Sequence, residues 1–248
     1  MKIVALYSIK GGVGKTSSAV NLAFISACKG YRTLVWDLDP QGASSFYFRI
    51  KPKVKGGSKD LIAGKRELDG LIKGTDFENL DLLPADFSFR NLDLVLDAKK
   101  KPTQQLKKLL KPLAEDYDFI FLDCPPNISL LSEAIFEAAE ILLSPLIPTT
   151  LSLRTLEQLK DFVNNNDLKK LKLIPFFSMV DRRKKMHVGC MLALTAKYPE
   201  ILTTVIPYAS DIERMGIERM PLGAYSKKSA AQHAYVTLWE EILEHIKA

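Results

Sequence analysis

The segment Lys10-Gly11-Gly12-Val13-Gly14-Lys15-Thr16 constrains this chain more than any other. Before it, Ile3 to Tyr7 is a short apolar run of strand formers that reads as a buried parallel strand. After it, Lys15 to Lys29 has helical periodicity, with Val20, Ala23, Phe24 and Ala27 on one stripe and Gly30 as the stop. Thr33 to Trp36 predicts a second strand, so the chain opens with a βαβ unit. Glycines let consecutive backbone N–H groups curl around an anion without a Cβ clash, and the helix beginning at Lys15 adds its positive dipole end. The loop lacks the first glycine of the GxxxxGK[ST] pattern but keeps its GK[ST] core. Gly11 to Ser17 are therefore the expected nucleotide-phosphate site. Lys15 reaches the β- and γ-phosphates there, and the Thr16 hydroxyl ligates Mg²⁺.

Strand and helix signals continue to alternate. Leu80 to Leu83, Phe119 to Leu122, Ile141 to Ile147, Leu171 to Val180 and Thr203 to Ile206 read as strands. Leu106 to Leu113, Ser129 to Ala139 and Leu151 to Val163 read as helices, and Arg49 to Gly57 as an exposed basic loop. This order predicts an α/β fold with a mostly parallel, twisted sheet and helices on both faces, and the glycine motif makes it the fold of a P-loop NTPase. With no break in composition, residues 1–248 are expected to form one domain. At 47% hydrophobic and 26% charged residues, the chain is neither disordered nor a disulfide-stapled miniature. Cys28, Cys124 and Cys190 form no CxxC, which argues against a zinc ribbon and for a reducing, cytoplasmic setting. No apolar run approaches the length of a membrane span.

Lys10, directly before the glycines, sharpens the motif. Lys10 to Thr16 resembles the deviant Walker A sequence of the ParA/MinD family of ATPases, and the resemblance extends over nearly the whole chain. It implies that Lys10 crosses a homodimer interface to the phosphates of the partner's ATP. A cation delivered in trans would balance charge on the transferring phosphoryl group. Asp37-Leu38-Asp39-Pro40-Gln41-Gly42 resembles the first switch of that family, which implies that Asp39 positions the attacking water, although Asp-Pro also commonly opens a turn. Asp118 to Pro126 resembles the Walker B strand and second switch. That makes Asp123 the second Mg²⁺ residue, directly or through water, with Asp118 a solvated strand-start residue and Cys124 a small buried one. The strand end around Met179 and the Val205-Ile206-Pro207 segment resemble the adenine surroundings, with Met179 and Pro207 against the base. Two positions depart from the family pattern, Ala209 where an asparagine is frequent and Asp211 where a DNA-contacting arginine is frequent.

The resemblance implies a weak ATPase, stimulated by a ParB-like or other adaptor protein, that dimerises with ATP and positions a plasmid, chromosome origin or protein assembly. Non-specific DNA is the expected surface, which implies a nucleoid-associated protein. The basic candidates are Arg182, Arg183, Lys184, Lys185, Arg214, Arg219, Lys227 and Lys228, although charge runs are often only solvated faces. A second basic zone spans Arg49 to Lys59. The net charge of +6 agrees with an anionic partner without naming one. A MinD-like membrane switch is the alternative. The terminal helix, however, has an apolar stripe (Tyr235, Leu238, Trp239, Ile242, Ile246) opposite Glu240, Glu241 and Glu244, which anionic lipid would repel, so it is expected to pack on the sheet. A metabolic enzyme on the same scaffold is the other alternative. No helix-turn-helix extension precedes the loop, so no operator-reading module is expected.

Overall fold

The computed structural model describes residues 1–65, 68–166, 168 and 170–247. Among these, eight strands form one sheet: β1 (Lys2–Leu6), β2 (Thr33–Asp37), β3 (Lys73–Gly74), β4 (Leu80–Leu83), β5 (Phe119–Asp123), β6 (Ile141–Leu146), β7 (Lys172–Val180) and β8 (Val205–Pro207). Their spatial order is β3-β4-β2-β5-β1-β6-β7-β8, and only the β3–β4 pair is antiparallel. The longer helices, with one short one that matters, are α1 (Lys15–Cys28), α2 (Ala43–Tyr47), α3 (Leu130–Ala138), α4 (Thr150–Asn165), α5 (Lys185–Lys197) and α6 (Ala230–Lys247).

Alternation along the strands sorts side chains to two faces. Ile3, Ala5, Leu34, Trp36, Ile120 and Leu122 join a core with α3 and the short helices Leu92–Asp97 and Gln105–Leu110. Val4, Leu6, Val35, Phe119 and Phe121 face the other way, into a core built with α1 and α6. A third cluster, around Leu156, Phe177 and Leu194, seats α4 and α5 on the β6–β7 side. The mostly parallel sheet with helices on both faces is as the sequence predicts.

The α1 helix differs from expectation. Instead of one buried stripe it is buried nearly all round, and its polar residues Ser18, Asn21 and Ser26 are buried too. The sheet covers one side, while α6 and the segment Ser210–Tyr225 cover the rest. Asn21 satisfies itself by donating to the Ser17 carbonyl and accepting from the Leu222 amide, both at 2.8 Å. Ser26 pairs with Thr33 at 2.9 Å. Asp118 is likewise more than a solvated strand start. Its carboxylate receives the Arg32 amide at 2.8 Å and the Arg32 guanidinium at 3.0 Å, tying β5 to the entry of β2. Elements without a periodic signal in the sequence include the two-residue edge strand β3, the helices α2 and α5, and the short helices Gly57–Ile62, Leu92–Asp97, Ser210–Glu213, Met215–Glu218 and Leu222–Tyr225.

The terminal helix packs on the sheet. Trp239 is fully buried with its ring centroid 5.0 Å from that of Phe119. Glu241 accepts the Thr203 and Thr204 amides at 2.7 and 2.9 Å, and Glu240 pairs with Lys29 at 3.3 Å. Among the described residues, no helix is long and apolar enough to cross a membrane.

Candidate nucleotide site

β1 runs between β5 and β6, with Leu6 opposite Asp123 on one side and Leu143 on the other. The glycine loop leaves its carboxyl end and turns directly into α1. In open parallel sheets this edge, where the chain diverges to both sides, is where ligands bind. Gly12 (φ +70°) and Gly14 (φ +92°) are left-handed, a conformation that costs an L-residue roughly 1–2 kcal/mol. A Cβ at Gly14 would in addition meet Ser178 Oγ at 2.8 Å, so that buried hydroxyl would have to turn away. Gly11 faces Pro126 of the Pro125-Pro126 corner. The loop is thus held between the ends of β5 and β7.

Lys15 is buried, its Nζ 3.4 Å from the Lys10 carbonyl. Burial pushes its pKa down, and the negative field of Asp123 opposes that shift. Thr16 Oγ1 donates to Asp123 Oδ1 at 3.2 Å, and Ser17 Oγ donates to the Gly14 carbonyl at 3.1 Å. Val13 is buried beneath the loop, whereas Lys10, Gly11 and Gly12 are exposed at its tip. Cys124 is buried, and burial raises its thiol pKa well above the ordinary value.

Two buried aspartates lie side by side at adjacent strand ends, with Asp37 opposite Asp123 in the β2–β5 register. Both carboxyl pKa values are pushed up by burial, and the Asp123 charge raises Asp37 further. Ser44 Oγ donates to Asp123 Oδ2, and the Ser45 amide and hydroxyl both donate to Asp37 Oδ2, each at 2.8 Å. Among the described residues, nothing hydrogen-bonds to the buried Asp37 Oδ1. Asp39 is half-buried on the turn that follows, and its Oδ1 accepts the Gln41 amide at 2.9 Å. The Thr16 hydroxyl and Asp123 carboxylate form a hard-oxygen pair of the kind that suits Mg²⁺. Among the described residues, no cluster of three or more His, Cys, Asp or Glu could hold a metal ion. A cation held by one or two protein oxygens, with phosphates completing its shell, fits both facts.

The structure therefore brings Gly11 to Ser17 together with Asp39 and Asp123. Met179 takes a left-handed φ of +55° at the irregularity between Phe177 and Val180, one residue beyond the Ser178 that touches Gly14. Pro207 ends β8 beside Val180. Ser44, Ser45, Asp37 as a buried partner, and Ser178 were not identified as site residues from sequence. The Ala43-Ser44-Ser45 run after the first switch was the available signal.

The eight basic candidates divide into two sets. Arg183 is bound to Asp181 through two contacts of 2.9 Å, Arg214 to Glu218 at 2.8 Å, and Arg219 lies over the Phe46 ring at 4.5 Å. Arg182, Lys184, Lys185, Lys227 and Lys228 are exposed and, among the described residues, free of carboxylate partners.

Comparison with known proteins agrees with this geometry. A family model described as an AAA domain matches residues 1–173. The chain is 29% identical to the chromosome-partitioning ATPase Soj of Treponema pallidum over 98% of its own length and 97% of that protein's. It is also 29% identical to the sporulation initiation inhibitor protein Soj of Bacillus subtilis, covering 97% of this chain and 98% of that one. Its fold matches the crystal structure of cobyrinic acid a,c-diamide synthase from Mycobacterium smegmatis with bound ADP and magnesium. That likeness has a TM-score of 0.85 and 25% identity, over 100% of this chain and 96% of the other.

Proposed function

Because the chain belongs to the AAA domain family AAA_31 and is a P-loop ATPase of the ParA/MinD type, we propose that it works as a nucleotide-driven partition or positioning switch that dimerises around ATP. Lys15 and the loop amides bind the phosphates, while Thr16 and Asp123 hold Mg²⁺. When bound, that ion draws charge off the phosphates. Asp39 orients the attacking water, and Met179 and Pro207 flank the base. Residues 1–248 act as one switching unit.

The observation that carries the reading is the position of Lys10. It is exposed at the tip of the loop and, among the described residues, has no carboxylate partner, whereas Lys15 is buried. Ile128 (50% exposed) and Leu151 (60% exposed) follow β5 and β6, the strands on either side of β1. An unpaired cation flanked by exposed apolar residues at the nucleotide edge suits a second copy docking face to face.

The ATP dimer is proposed to hold DNA through Arg182, Lys184, Lys185, Lys227 and Lys228, and an adaptor protein accelerates hydrolysis. Such contacts are to phosphates and read no base. The test is a DNA mobility shift with ATP and Mg²⁺. With about six phosphate contacts, binding should weaken by orders of magnitude between ~50 and ~200 mM salt, whatever the sequence. Binding indifferent to both nucleotide and salt would overturn the DNA reading. Hydrolysis without any change in oligomeric state would favour the metabolic alternative.

A further inference from the structure

The basic zone after the first switch lines a pocket that the ATPase reading does not use. Its cavity of about 580 Å³ has Lys51, Lys53, Lys55 and Lys73 around the rim and Leu71 and Pro84 in its floor. All four lysines are exposed, Leu71 and Pro84 are buried, and among the described residues no carboxylate pairs with the lysines. Among the described residues these four cations form no ion pair, although Lys53 lies near enough to Asp86 to lower its pKa, and around an apolar floor they raise the local potential, which an anionic ligand relieves.

The shape narrows the ligand. Duplex DNA asks for a face of cations and needs neither a concavity nor an apolar floor. The apolar floor takes an aliphatic side chain, the remaining room takes the neighbouring residues of its segment, and the lysine rim meets their carboxylates.

The pocket is wired to the nucleotide site through Ser45. Ile50, in its wall, donates its amide to the Ser45 carbonyl at 3.0 Å. Ala85, next to Pro84, donates its amide to Ser45 Oγ at 2.9 Å. The same serine donates from both its amide and its hydroxyl to Asp37. On the other side, the lysine loop presses on the first switch, because a Cβ added at Gly42 would meet Pro52 Cβ at 3.0 Å. Gly42 in turn donates its amide to the Asp39 carbonyl at 2.9 Å.

We infer that the lysine-rimmed pocket beside the first switch binds an acidic peptide segment bearing an apolar side chain, and that its occupancy changes how the nucleotide site works. The second half rests on the ATPase reading; the first does not.

The test uses the full chain and a fluorescein-labelled Glu-Leu-Glu-Glu-Leu-Glu peptide, with a Glu-Ser-Glu-Glu-Ser-Glu peptide and mixed-sequence duplex DNA as comparison arms. The leucine peptide should bind, more weakly as salt rises, and at least about tenfold more tightly than the serine peptide. The double variant Lys51→Glu/Lys53→Glu should lose about tenfold or more in affinity. Lys108→Glu/Lys111→Glu, an equal charge change elsewhere, should bind like the parent. Equal binding of the two peptides, equal losses in both double variants, or lysine-dependent displacement by DNA overturns the peptide site. Coupling is read as a peptide-induced change in ATP turnover and, independently of turnover, in affinity for a fluorescent ATP analogue. If the peptide binds and neither changes, the coupling is wrong. Absence of turnover under every condition, with peptide binding and analogue affinity still linked, would instead count against the ATPase reading.

Discussion

Ser44 donates its hydroxyl to Asp123 at 2.8 Å, across 79 residues of sequence, and so completes the surroundings of a fully buried carboxylate that also receives Thr16. The helix α2, which follows β2, and the end of β5 are therefore in direct contact.

Removing that hydroxyl should be costly. Ser44→Ala leaves a buried carboxylate oxygen short of a donor, and hydrogen bonds to charged groups contribute about 1.5–3 kcal/mol. A loss of that order is expected in urea unfolding of the nucleotide-free protein. Because Ser44 pulls the Asp123 pKa down, its loss should also shift Mg²⁺-nucleotide binding to higher pH. An unchanged urea midpoint would mean that Ser44 does not hold Asp123.

The paired aspartates predict proton release on ligand binding. Asp37 and Asp123 are held above the ordinary carboxylate pKa, primarily by burial, while the unfolded chain titrates them near ~4. Between that pH and the raised folded values the folded state carries more protons than the unfolded one. Their contribution to stability therefore falls as pH rises through that window. Mg²⁺ favours the ionised forms. Calorimetric heats at mildly acid pH, in two buffers of different ionisation enthalpy, should differ and report net proton release. Identical heats would contradict the assignment.

The two left-handed loop glycines should respond unequally to alanine. At Gly12 a Cβ meets nothing within 4 Å, so Gly12→Ala carries only the backbone cost of about 1–2 kcal/mol. Gly14→Ala has the larger positive φ, +92°, and also forces the buried Ser178 hydroxyl out of a 2.8 Å contact at the cap of the helix that presents Lys15 and Thr16. Thermal midpoints and nucleotide affinities should both rank parent, Gly12→Ala, Gly14→Ala from best to worst. Equal effects would mean that the loop does not lean on β7.

Legibility in the sequence followed the distance over which a feature is determined. The strand, glycine loop and helix from Ile3 to Cys28 could be read because each signal lies within its own few residues. The terminal helix could be read because its stripe runs through Trp239 and Ile242, both fully buried. The polar burial of α1 could not be read, since Asn21 is satisfied by Leu222, 201 residues away. Nor could the grip of Ser44 and Ser45 on the two aspartates, because only the β2–β5 register puts Asp37 beside Asp123. Among the basic candidates, composition could not separate Arg183, tied to Asp181, from the exposed Lys184 next to it.

The central claim is that Lys10 acts across a dimer while Lys15 and Asp39 act within one chain. Sedimentation velocity with ATP and Mg²⁺, paired with ATP-binding measurements, tests it most directly. The parent should dimerise, and Asp39→Ala should accumulate as a dimer that does not turn over. Lys10→Ala should bind ATP yet remain a monomer, and Lys15→Ala should lose nucleotide binding altogether. A Lys10→Ala protein that dimerises with ATP as the parent does would contradict the account.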